Sequence, residues 1–143
     1  MNMNKNLAII AIFFVLLTSF RFAGDKKEIN FIDNDWKAAK DASKAQDKPI
    51  FVFLYTSTCQ ISARMKDEVF TNPKVATEFN DKFICVMMDM DAFQNQLHVN
   101  AWKATGSPTW VFLDKNRDLA LKESGFKKPD EIIALAEQAL KKY

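Results

Sequence analysis

The sequence predicts an α/β domain, a central mixed β-sheet with helices on both faces. Three observations lead there. The runs Ile50-Phe51-Val52-Phe53-Leu54-Tyr55, Phe83 to Met88 and Trp110-Val111-Phe112-Leu113 are apolar at every position, as strands covered on both faces are. Segments of helical period separate the runs. Finally, Asp114-Lys115-Asn116-Arg117 is a turn signal between the last run and Leu119-Ala120-Leu121, which adds an antiparallel pair.

Each element has its own local reason. Asn34 or Asp35 is placed to cap a first helix running to about Gln46, with Trp36, Ala39 and Ala42 or Ser43 on one face. Asp47-Lys48-Pro49 ends that helix before the first strand. A second helix is expected from about Ser62 to Phe70, turning Met65, Val69 and Phe70 toward a core. Asn72-Pro73 reads as an N-cap and first-turn proline for a short helix through Phe79. The strand Phe83 to Met88 ends at Asp89 and Asp91. Helical spacing returns in Phe93, Leu97 and Ala101 or Trp102, up to Gly106. Ser107-Pro108-Thr109 then leads into the strand at Trp110, and Gly125 closes the hairpin. Pro129-Asp130-Glu131 starts a last helix carrying Ile132, Ile133, Leu135, Ala136, Ala139 and Leu140. Acids at its start and Lys141-Lys142 at its end suit the helix dipole.

The first 23 residues read differently. Asn2, Asn4 and Lys5 precede an apolar block from Leu7 to Leu17, a basic start and short apolar stretch in the pattern of a secretory signal. The block is shorter than the roughly 20 apolar residues that a membrane-spanning helix needs. Ser19 and Ala23 are small enough to precede a cut, while Arg21 fits poorly three residues before a cut after Ala23. A cleaved signal and an uncleaved N-terminal anchor both stay open. Residues 24–143 suffice for one domain with one core. All 18 acidic residues lie there, matched by 18 Lys and Arg once Lys5 and Arg21 are set aside. Near-zero net charge with interspersed signs gives no basic face for nucleic acid.

Chemistry concentrates at Tyr55-Thr56-Ser57-Thr58-Cys59-Gln60-Ile61-Ser62. A cysteine at a strand-to-helix junction sits where unpaired N–H groups and the positive helix end favour a thiolate. Arg64 adds a nearby positive charge, offset at longer range by Asp67 and Glu68. The other cysteine, Cys85, falls in the middle of the second strand, about four residues and roughly 13 Å short of its end. Disulfides need Cα atoms within about 7 Å, so Cys85 reads as a small buried apolar residue and not as a partner for Cys59. His98 is the only histidine and is expected on a helix surface far from the thiol. A single histidine with no paired cysteines gives no metal-site spacing, and no cofactor is implied. Met87-Met88-Asp89-Met90-Asp91 lacks the oxygen ligands and glycine of a calcium loop. Trp102 and Trp110 read as packing residues.

Taken in order, these pieces resemble the thioredoxin family over nearly all of Phe31 to Tyr143. Lys48-Pro49 precedes the central strand, Cys59-Gln60-Ile61-Ser62 stands where the family has Cys-x-x-Cys, and Gly106-Ser107-Pro108-Thr109 matches its Gly-x-Pro-Thr. The small secreted or periplasmic members look most similar. The resemblance implies a thioredoxin-like fold and a cis Pro108 packed against the thiol. It further implies a substrate groove bordered by Thr58, Gln60, Ile61, Ser107, Pro108 and Thr109, with the backbone at Ser107 pairing with an extended peptide.

Three departures shape the functional expectation. Ser62 replaces the second cysteine, Thr58 the usual tryptophan, and Phe53 the buried acid six residues before Cys59. A serine hydroxyl cannot release a mixed disulfide, because exchange needs a thiolate to attack and a thiolate to leave. An ordinary dithiol reductase or oxidase is therefore not expected. The expectation is a thiol-exchange protein with Cys59 as its single nucleophile and Ser62 as hydrogen-bond donor to it. Its partners are client proteins with cysteines or disulfides, with a small external thiol as a further reactant. The competing expectation is a redox-inert peptide-binding module in which Ile61, Thr58 and Pro108 form the groove and Cys59 is incidental.

Overall fold

Residues 28–142 are described by the computed structural model; the expected signal or anchor at 1–23 lies outside them. Five strands form one mixed sheet in the order β1-β3-β2-β4-β5. They are β1 (Phe31–Asp33), β2 (Ile50–Tyr55), β3 (Ile84–Asp89), β4 (Thr109–Leu113) and β5 (Leu119–Ser124). β3 runs parallel to both β1 and β2, whereas β4 is antiparallel to β2 and β5.

The helices follow the caps. α1 (Trp36–Gln46) starts at Asp35, whose Oδ1 accepts the Ala38 N–H at 2.9 Å. α2 (Gln60–Arg64) runs straight into a π-helical turn, Met65–Val69. α3 (Pro73–Lys82) is capped by Asn72, whose Oδ1 accepts from Lys74 and Val75 N–H. A short 3₁₀ turn, Phe93–Asn95, precedes α4 (Gln96–Ala101), and α5 (Pro129–Leu140) closes the chain.

Alternation along the strands divides the core into two layers. Phe51, Phe53, Cys85, Trp110 and Phe112 meet Met65, Val69, Val75, Phe79, Ile132, Ala136 and Ala139 on the face covered by α2, α3 and α5. Ile50, Val52, Leu54, Val86, Met88 and Val111 meet Ala39 and Val99 on the face of α1 and α4. Both faces of β2 are thus covered, which is why its sequence shows no polar alternation.

Three expectations need correction. The sequence shows four strands, but a fifth exists: Phe31 to Asp33 adds to β3 as an edge strand, too short to carry a period. Phe93 and Leu97 do not face the core and are 92% and 75% exposed. Val99 and Ala104 fill that layer in their place, because the 3₁₀ turn rotates the segment away from the face that a continuous helix would present. The active helix also begins two residues earlier than expected, at Gln60.

Candidate active site

Register sets the site. Tyr55, the last residue of β2, pairs with Asp89 at the end of β3, and the chain leaves the sheet there through Thr56, Ser57 and Thr58. Cys59 is the N-cap of α2, with φ −81° and ψ 108°. The loop before β4 arrives from the other side with a cis Ser107–Pro108 bond, as the resemblance implies. Cys59 Sγ donates to the Ser107 carbonyl at 3.3 Å. Cys59 as a residue is half-buried.

A second layer of bonds lies beneath the sulfur. Ser62 is 1% exposed, and its Oγ lies 3.0 Å from Ser107 Oγ. Ser107 Oγ also accepts the Thr56 N–H at 2.9 Å. Three segments, before α2, within it and before β4, are tied at one hydroxyl. The Cys59 thiol is drawn down from its ordinary 9.0 to about 7, chiefly by hydrogen bonding from the Ser62 side chain. Burial opposes this, while the Ser107 side chain and the backbone N–H groups of Ser62 and Ile61 add to it. The effect is one of hydrogen bonding, not of charge. Arg64, expected to lend a positive charge, is turned onto Glu68 at 2.9 Å and over the Phe126 ring at 4.5 Å. Lys66 sits over the Tyr55 ring at 3.4 Å.

The remaining positions fall around this centre. Thr58, Gln60 and Ile61 are exposed along the start of α2, Ile61 by 42%. Pro108 and Thr109 are buried. Thr109 Oγ1 donates to Gly106 O at 2.6 Å and meets Ser124 Oγ at 3.2 Å, which holds the proline loop on the hairpin. Phe53 is fully buried, edge-on to Phe70 at 4.8 Å and to Trp110 at 5.4 Å. An aromatic ring thus fills the place under the site where the resemblance implies an acid. Thr56 was not singled out by its residue type and contributes through its backbone N–H alone, for which no sequence signal exists. The side chain of Ser107 was likewise missed, since only its backbone was expected to take part.

Cys85 is 3% exposed, with its Sγ 3.7 Å from Phe79 O. Burial pushes its thiol up, and both cysteines are free. The structure agrees with Cys85 as a buried apolar residue. His98, expected on a helix surface, lies half-buried on α4 between Trp36 and Trp102, with ring centroids 5.0 and 5.3 Å away, and burial lowers its pKa. Among the described residues, no group of three His, Cys, Asp or Glu is arranged to hold a metal, and no helix is long and apolar enough to cross a membrane.

A mixed five-stranded sheet with a cysteine at a helix start, set against a cis-proline loop, defines a thioredoxin-fold protein. The sequence profile of the thioredoxin-like family matches residues 31–115, and the chain belongs to that family. Its fold is similar to that of a candidate disulphide-isomerase from Bacteroides thetaiotaomicron. That likeness has TM-score 0.71 at 22% identity, covering 79% of this chain and 93% of the other. It is similar too to a thioredoxin from Thermus thermophilus, with TM-score 0.69 at 17% identity over 78% and 88% of the two chains. The C-terminal domain of Neisseria meningitidis DsbD in its oxidised form gives TM-score 0.64 at 21% identity, over 71% and 90%. Among curated proteins, mouse spermatogenesis-associated protein 20 is 38% identical over 61 residues. That stretch is 40% of this chain and only 8% of the mouse protein.

Proposed function

We propose that the protein exchanges thiols and disulfides with client proteins through Cys59 as its single nucleophile. One observation carries this reading: a half-buried cysteine at the start of α2, its Sγ against the cis-proline loop, whose thiol is drawn down to about 7 by the donors around it. Near neutral pH about half of such a thiol is thiolate, the reactive form. The Cys59 thiolate attacks one sulfur of a client disulfide, forming a Cys59–client disulfide and expelling the other client sulfur as a thiolate. A different client thiol, as thiolate, then attacks the client sulfur of the mixed disulfide and Cys59 leaves as thiolate. Bonds are exchanged with no net electron flow, which is isomerisation. An external small thiol that attacks the Cys59 sulfur instead frees the client as a dithiol and leaves Cys59 joined to the small thiol. A second small thiol then releases Cys59 as thiolate and forms the small-thiol disulfide, so the client is reduced. Ser62 cannot take that second step, and Phe53 offers no proton acceptor for it. A lowered leaving-group pKa speeds release of Cys59 in either case.

The groove residues of the proposal are Thr58, Gln60 and Ile61 on the helix side and Ser107, Pro108 and Thr109 on the loop side. The basic start and apolar block at 1–23 favour an exported compartment, with membrane contact only through that segment; recovery of the chain in the cytosol of its own cell would remove this part. The test of the chemistry is reshuffling of a scrambled disulfide substrate. Cys59→Ser is expected to abolish the acceleration, and a variant as active as the native chain overturns the reading. The exposed Ile61 favours the competing function, a redox-inert peptide-binding groove. In that case Cys59→Ser leaves peptide binding intact and no mixed disulfide accumulates.

A further inference from the structure

Among the described residues four large apolar side chains stand in solvent: Ile61, Phe93, Leu97 and Leu119. Three of them share one end of the sheet. Tyr55 pairs with Asp89, and the Met90 N–H donates to Tyr55 O at 2.7 Å, so the chain to Cys59 and the chain to Phe93 leave parallel strands side by side. Leu119 lies at the far end, opposite Leu113, which faces Ile50 at the start of β2. Phe93 and Leu97 are the two most exposed, and the segment that carries them is firmly held. Asn95 is 1% exposed, and its Nδ2 donates to Asp89 O and to Asn34 Oδ1, both at 2.8 Å. Gln96 Nε2 donates to Met90 O, and Val99 is packed in the core. A fixed segment thus presents both apolar side chains outward, and burial against a partner would relieve that exposure.

Charge says what kind of partner fits. Asp89 and Asp91 precede Phe93, and Asp33 adjoins them through Asn34, whose Oδ1 accepts both the Asp89 N–H and Asn95 Nδ2. No Lys or Arg occurs between Lys82 and Lys103, and none of the three carboxylates is in an ion pair among the described residues. Two ammonium groups approach from other elements: Lys66 lies over the Tyr55 ring and acts on Asp33 and Asp89, while Lys40 of α1 acts on His98. Three carboxylates against Lys66 leave the border of Phe93 acidic.

We propose that Phe93 and Leu97, bordered by Asp33, Asp89 and Asp91, dock an extended client segment in which large apolar residues are flanked by Lys or Arg. The apolar residues of such a segment are buried in a folded protein and open in an unfolded one, so the surface selects clients that have not finished folding. The same acids repel the anionic headgroups of a bilayer, which argues against a membrane as the occupant. In calling the occupant a client the inference rests on the function proposed above. It adds to it a hold outside the groove of Thr58, Gln60, Ile61, Ser107, Pro108 and Thr109, which raises the local concentration of client disulfide beside Cys59.

The probe is a fluorescein-labelled, cysteine-free peptide of alternating Phe or Leu and Lys or Arg, titrated by fluorescence anisotropy with the full chain. It is expected to bind, and the double variant Phe93→Ser/Leu97→Ser to weaken binding about tenfold or more. Asp91→Asn is expected to weaken it about twofold and to lessen its dependence on salt. Leu119→Ser, at the far end of the sheet, is the control and is expected to bind as the native chain does. All of these positions are exposed, and circular dichroism checks that the fold is kept. Undiminished binding by the double variant overturns the proposal, and so does equal binding of a peptide with Glu in place of Lys and Arg. A dimer in sedimentation that the double variant loses and the peptide does not dissociate also overturns it, since the surface is then a contact between copies. Disulfide reshuffling is read separately. Peptide binding by a chain that does not reshuffle would leave the docking surface standing and remove the exchange function. Reshuffling without peptide binding would do the reverse.

Discussion

Removing the Ser62 hydroxyl tests the chemistry of the site most directly. Ser62 is buried and its Oγ lies 3.0 Å from Ser107 Oγ, which keeps the Thr56 N–H after the change. Ser62→Ala therefore removes a donor without opening the fold. A hydrogen bond to a charged group contributes about 1.5–3 kcal/mol, and 1.36 kcal/mol corresponds to one pKa unit. The thiol is then expected to rise from about 7 by about 1–2 units. At pH 7 the thiolate fraction falls from about one half to between roughly a tenth and a hundredth. Nucleophilicity moves the other way, since a Brønsted slope of about 0.4–0.5 makes each remaining thiolate roughly three- to tenfold faster. The net result is a roughly two- to eightfold slower attack on a chromogenic aryl disulfide at pH 7 and a roughly three- to tenfold faster plateau above pH 10. Stopped-flow rates across pH on the Cys85→Ala background measure both limbs. Crossing profiles are the signature, because a change in access alone scales every rate equally. Coincident profiles would refute the assignment of the low thiol pKa to Ser62.

Two further outcomes follow from the core. Phe53→Asp, which reinstates the acid implied by the resemblance, removes ring contacts with Phe70 and Trp110 and places a carboxyl at a fully buried position. Loss of a buried phenylalanine side chain alone costs about 3–5 kcal/mol, so urea unfolding should show at least that loss, and a loss below about 1 kcal/mol would refute it. Cys85 is held as a neutral thiol by burial, so its folded pKa lies above the unfolded value of about 8.5. Its contribution is complete below that value and declines as pH rises above it. The native chain is expected to lose stability between pH 8.5 and 10 relative to Cys85→Ala, measured as the change in denaturation midpoint with pH, and parallel curves would contradict this.

Much of the fold was legible because strong physical constraints act on single segments. Covered strands must be apolar at every position, which exposed β2, β3 and β4. Unpaired helix N–H groups must find acceptors, which placed Asn34 or Asp35 at the start of α1 and Asn72 at that of α3. Weak or shared signals failed. β1 has three residues and one neighbour, too few for a pattern. Phe93 and Leu97 have the spacing of a buried helical face, but that spacing does not say which way a short 3₁₀ turn points it. His98 is covered by Trp102 four residues on and by Trp36 from α1, and no local pattern carries the second contact.

The same division runs through the site. The sequence alone determined that one cysteine opens a helix, that a serine stands where a second thiol would, and that a proline loop precedes β4. These are properties of residue type and order, which short-range sterics and hydrogen-bonding need translate directly into local structure. Only the tertiary structure decided that Arg64 turns away from the sulfur and that Ser62 and Ser107, 45 residues apart, join hydroxyls beneath it. A thiol responds to donors within hydrogen-bond reach, and which donors come within reach depends on the register of β2 with β3 and β4.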